Sequence, residues 1–163
     1  MQVDYINPFI VAVTQVFESS VGTTLRRSKI GIKESDTRSY DVSGIIGFSG
    51  SAFGSVALSF PKQTAQKVVS AMLGGDEAND DDIADGVGEL ANMVAGVAKT
   101  ALAERGVKTF ISIPSTVIGA GHYVHRPKNV QCVEIKFESD MGTVVLDLAI
   151  RVVAEVSASV SNA

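Results

Sequence analysis

Asp85, Glu89, Asn92 and Gly96 form the pattern in this chain that most invites chemistry. On a helix turning ~100° per residue they fall in one stripe roughly 60° wide. Val87, Leu90, Val94, Val97, Ala98 and Ala101 are then expected on the opposite, core-facing side. The outer face would present two carboxylates, an amide and a glycine in line, with Gly88 beside them. Each glycine inside a helix costs about 1 kcal/mol relative to alanine. A helix built only for packing has little reason to place two along a polar row. Without side chains, Gly88 and Gly96 leave the helix surface low, so the backbone of another protein could come close. An exposed Glu-x-x-Asn is also ordinary solvated surface on an amphipathic helix. The stripe alone leaves both readings open. No second Glu-x-x-Asn occurs in the chain.

Other reactive groupings are weaker. His122 and His125 invite zinc, but a third ligand with matching geometry is needed, and Gly119-Ala-Gly-His122-Tyr reads as a loop. Asp76, Glu77, Asp80, Asp81 and Asp82 form an acidic loop that lacks the EF-hand spacing and its closing glutamate. Aspartates there suit the start of the next helix and its dipole. No metal site is expected. A Gly-x-Ser-x-Gly elbow is absent, and Gly44–Gly54 lacks the Gly-Lys-Ser/Thr ending of a phosphate loop.

The elements that must hold the stripe follow from periodicity. Residues 5–21 read as a helix, with Asn7 as cap, Pro8 at the first helical position and Gly22 as stop. Strand-like runs follow at 23–33, 40–48 and 52–60, the last two joined at Ser49-Gly50-Ser51. A helix from Pro61 to about Leu73 ends at Gly74-Gly75, and the longest helix spans 82–105. Three more strands are expected at 108–119, 130–139 and 143–153, with a turn at Asp140-Met141-Gly142. The order is helix, three strands, two helices, three strands. Each half repeats a helix followed by a meander. The expected class is α+β: an antiparallel sheet of about six strands, long helices on one side, and two pseudo-repeated halves.

Composition bounds the rest. The 163 residues suit one domain, placed at 1–154, with a flexible tail at 155–163. Hydrophobic residues are 45% and aromatics 6%, so the core must be mostly aliphatic. The net charge of −4 argues against nucleic acid as partner. Cys132 is the single cysteine, which fits a reducing compartment. No signal peptide and no ~20-residue apolar run is visible, so a cytoplasmic protein without membrane contact is expected.

Asp85-x3-Glu89-x2-Asn92, followed 22 positions later by Pro114, resembles the signature of the CheC/CheX/FliY phosphatases of bacterial chemotaxis. The opening Ile6-Asn7-Pro8-Phe9-Ile10 and the order of elements extend the resemblance over nearly the whole chain. CheC-type members carry the pair twice; here Glu18 is followed by Val21, so the single site is closest to CheX. The resemblance implies a phosphoaspartate on a CheY-like receiver domain as substrate, with Mg²⁺ and a lysine supplied by that receiver and no cofactor bound by this chain. It assigns Glu89 to a salt bridge with the receiver's lysine and Asn92 to the attacking water. It implies a homodimer through strand edges, expected at 108–119 or another strand of the meander rather than at the polar first strand, 23–33. The alternative is a module that binds a receiver, or serves a flagellar switch, without catalysis.

Overall fold

The computed structural model describes residues 3–34 and 37–153. Helix α1 runs Val3–Val16 and widens into a π-helical turn over Phe17–Val21. Strands β1 (Arg26–Ile32), β2 (Val42–Gly50) and β3 (Ala52–Phe60) follow, then α2 (Lys62–Met72) and α3 (Asp80–Glu104). Strands β4 (Thr109–Ile111), β5 (Ser115–Ile118), β6 (Val133–Ser139) and β7 (Gly142–Val152) complete the described chain. The expected tail at 155–163 lies outside the described residues.

All seven strands join one antiparallel sheet in the order β1-β6-β7-β3-β2, with β4 and β5 both paired to the outer side of β2. The two halves interlock. The first strand of each half pairs with the second strand of the other: β1 with β6, and β4–β5 with β2. The third strands, β3 and β7, pair at the centre. The meander expected in each half is therefore reduced to a hairpin, β2–β3 and β6–β7, because each leading strand pairs with the other half.

The helices pack on one face. Ile46, Leu58, Leu146 and Leu148 rise from the sheet to meet Phe9, Ile83, Leu90 and Leu102, all buried. Phe17 stacks near Phe60 with ring centroids 6.1 Å apart, and Phe9 meets Phe48 edge-on at 5.7 Å. This aliphatic core matches the shortage of aromatics.

Three further expectations of the fold need correction. Helix α1 begins before Asn7, so Asn7 is not its cap and Pro8 lies inside the helix. Proline has no N–H to give the carbonyl four residues back. That carbonyl, on Asp4, instead accepts a hydrogen bond from the Arg105 guanidinium at the far end of α3. The run at 108–119 is two short strands rather than one, because Ser112-Ile113-Pro114 breaks it. Val97 is partly exposed rather than core. The buried arc of α3 is displaced toward Gly88, where β5 covers the helix, and Val97 sits on the opposite flank.

The segment between β5 and β6 covers part of the sheet's second face, around Ser43, Asp147 and Ala149. His122 in that segment holds Ser43 at 2.7 Å and the Gly119 carbonyl at 2.7 Å, so both ring nitrogens are occupied. Beneath it, buried Asp147 accepts from Lys33 at 2.7 Å and Arg126 at 3.3 Å, and Lys33 also meets Glu134 at 3.3 Å. Burial pushes the Asp147 carboxyl above its ordinary range, against the pull of Lys33 and Arg126. The same burial, helped by the charge of Asp147, raises the Cys132 thiol to about 11.

Candidate functional site

Helix α3 is anchored before its outer face is considered. Asn79 caps it: the Asn79 side chain accepts from the Asp82 amide at 2.9 Å, and the Asp82 carboxylate accepts from the Asn79 amide at 3.0 Å. Part of the acidic loop is thus spent on this box, and Asp80 pairs with Lys62 at 3.1 Å on the surface. Among the described residues, no three His, Cys, Asp or Glu side chains gather as a metal-holding group.

Gly44 on β2 sets how close α3 lies. A Cβ there would come within 2.9 Å of the Val87 carbonyl oxygen and 3.0 Å of the Ala91 Cβ. No larger residue fits without moving the helix off the sheet. A second tie comes from β5, where the Thr116 hydroxyl donates to the Ala84 carbonyl at 3.0 Å.

With the helix so fixed, Asp85 and Glu89 are exposed and Asn92 and Gly96 are half-buried, all along its outer side. Glu89 and Asn92 are three apart, so their Cβ atoms lie about 5–6 Å from each other. Among the described residues neither side chain has a hydrogen-bond or ion-pair partner within the chain. Gly96 has no neighbouring atom within 4 Å of where a Cβ would stand, so the helix surface there is low and open. Chemically, the arrangement offers one anionic group and one neutral amide, side by side on a rigid surface.

Gly88 behaves differently from the expectation. It is buried, not open to a partner: Pro114 lies 3.6 Å and the Thr116 hydroxyl 3.2 Å from its would-be Cβ. The close approach that this glycine permits is made by the chain's own edge strand. Pro114, 22 positions after Asn92 in sequence, is thereby brought against the residue preceding Glu89.

Sequence reasoning missed the parts that hold Pro114 there. Between Phe48↔Ile111 and Ile45↔Ser115, strand β2 has two residues where the edge has three. This is a one-residue β-bulge. The Gly47 amide donates to the Ser112 hydroxyl at 2.8 Å, and the Ser112 amide donates to the Gly47 carbonyl at 2.9 Å. A proline within an apolar strand-like run was the signal available, since proline is confined to edges and bulges.

The family model of the chemotaxis phosphatase CheX matches residues 42–138. The chain belongs to the CheX family. It is 33% identical to the CheY-P phosphatase CheX of Thermotoga maritima over 73% of this chain and 78% of the relative. Its fold superposes with a TM-score of 0.85 on the crystal structure of a CheC-like superfamily protein from Shewanella sp. PV-4, 30% identical, covering 93% of this chain and 99% of that one. A CheX in complex with CheY, BeF₃ and Mg²⁺ from Borrelia burgdorferi is 26% identical, with a TM-score of 0.77, covering 92% of this chain and 99% of that one. The matched CheX region begins on β2 and ends in β6, so it contains α3, the bulge and Pro114.

Proposed function

We propose that this chain hydrolyses the phosphoaspartate of a CheY-like receiver domain. The observation that carries the reading is the outward, unpartnered Glu89–Asn92 pair on α3 in a chain of the CheX family. That a CheX from Borrelia burgdorferi forms a complex with CheY supports a receiver as the partner.

In this reading Glu89 meets a lysine of the receiver and sets the helix over the phosphoryl group. Asn92 accepts from and orients a water in line with the phosphorus. The water oxygen bonds to phosphorus as the bond to the aspartate oxygen breaks, leaving inorganic phosphate and a free carboxylate. Acyl phosphates are reactive already, so most of the gain comes from position and charge. An amide holds the water without itself taking a proton. The Mg²⁺ belongs to the receiver, and this chain contributes no metal ligand to the step. Asp85 and the open backbone at Gly96 flank the contact. Homodimerisation through an edge strand is part of the same proposal, read by light scattering across protein concentration.

The test is phosphate release from a phosphorylated receiver with and without this protein. Release should accelerate and turn over many receivers per protein molecule. Unchanged or slowed release would instead identify a stoichiometric binder.

A further inference from the structure

We infer that Ile113 is an apolar docking contact for the receiver, a step that rests on the function proposed for Glu89 and Asn92. Ile113 is 85% exposed, more than any other large hydrophobic side chain among the described residues. It is not a loose tip. It sits in the bulge between β4 and β5, clamped on one side by the Ser112–Gly47 hydrogen bonds and on the other by Pro114 against Gly88. The Ser112 hydroxyl also donates to the Ile113 carbonyl at 2.9 Å. Held rigidly, this side chain loses little freedom when a partner covers it.

Its position connects it to the site. Ile113 adjoins Pro114, Pro114 touches Gly88, and Gly88 adjoins Glu89. Ile46, which lies opposite the bulge, belongs to the helix-side core. The outward residues of the first half of α3 are acidic, Asp81, Asp85 and Glu89. Such charges attract any basic surface, and discrimination among receivers then needs a short-range contact at the margin. The bulge and the missing N–H of Pro114 interrupt the hydrogen-bonding groups of this edge at Ile113, so strand pairing with a second copy would use β4 or β5 outside the bulge and leave Ile113 to another contact.

Phe110 provides the control. It is 68% exposed on the same edge. Its neighbour Ile111 pairs with Phe48 of the helix-side core, so strand alternation puts Phe110 on the other face of the sheet, opposite Ser49.

The experiment compares Ile113→Ser, Ile113→Leu and Phe110→Ser with the wild type. It measures kcat and KM for dephosphorylation, receiver binding by titration, melting temperature and mass by light scattering. Ile113→Ser should raise KM and the dissociation constant about tenfold, the scale of one lost aliphatic contact. Its kcat should stay within about twofold, since nothing at the reacting atoms changes. Ile113→Leu should restore binding, and Phe110→Ser should leave it unaltered. Unchanged receiver binding in Ile113→Ser would overturn the inference, as would a loss shared equally by Phe110→Ser. A fall in mass for Ile113→Ser would also overturn it, because the contact would then belong to a second copy of this chain. If the wild type binds a receiver without hydrolysing it, the proposed activity fails while the binding comparison still decides the docking contact.

Discussion

Helices α1 and α3 open the two halves of the molecule and pack against each other over the same sheet, yet only α3 carries the Glu89–Asn92 pair proposed for the chemistry. The exposed positions of α1 are Asp4, Asn7, Val11 and Gln15, with Glu18 in the π-helical turn that follows; those of α3 include Asp85, Glu89 and the half-buried Asn92. Helix α1 tolerates an internal proline and ends in a π-helical turn. Helix α3 runs 25 residues without proline and begins with a capping box. The edges differ in the same sense. Strand β1 bulges at Ser28, where the hydroxyl donates to the Lys136 carbonyl across the sheet. The bulge between β4 and β5 instead drives Pro114 against the helix that bears the site. Equivalent irregularities at the two ends of one sheet thus have different consequences. The one beside α3 fixes a surface, and the one at β1 changes only the strand.

The contrast breaks most sharply at Asn92. Asn92→Ala should lower the dephosphorylation rate on the order of 100-fold while receiver binding stays close to wild type, because in the proposed mechanism the amide acts on water at the reaction step. Single-turnover phosphate release at saturating protein separates the two. A rate equal to wild type would remove α3's special status.

Filling the contact between helix and edge comes next. Gly88→Leu should destabilise the fold by about 1–3 kcal/mol, since its side chain must displace Pro114 and Thr116. Urea unfolding reads the loss. Gly96→Leu, with open space at its Cβ, should cost no packing energy and gain helix propensity instead. Equal destabilisation of the two variants would contradict the burial difference between these glycines.

Glu89→Ala should weaken receiver binding about tenfold, the scale of one charge-assisted hydrogen bond. Its binding should also depend less steeply on salt than that of the wild type. Titrations at two ionic strengths check both. Asp85→Ala should change stability by about 0.5 kcal/mol or less, as an exposed residue beyond the first turn. The smallest effect is expected on α1. Val11→Ser, at an exposed position of the other helix, should leave turnover unaltered in the same phosphate-release assay. A loss there would mean that both helices meet the receiver.

Much of this arrangement was legible from the chain. Periodicity placed the long helix within about one turn at its ends, and the Glu89–Asn92 stripe emerged on its outer face because exposure of one helical side is a local, repeating property. Gly22 stops the first helix with φ 82°, a conformation glycine adopts readily. The spacing to Pro114 tied the stripe to a family. Local rules failed where a distant partner supplied the missing interaction. Pro8 lies within α1 because the Asp4 carbonyl it cannot serve is met by Arg105 from the other half of the chain. Asp147 stands within an apolar strand because Lys33 and Arg126 reach it from two separate segments.

Residue type and spacing, then, determined that a carboxylate and an amide share one turn of an amphipathic helix, since both depend only on the 3.6-residue repeat. Only the tertiary structure decided which glycine faces inward and how the edge strand is cut. Gly88 and Gly96 are chemically identical and both adjoin the stripe. One is buried under Pro114 and the other is open, because a single extra residue in the edge strand carries the chain onto one flank of α3 and not along its length.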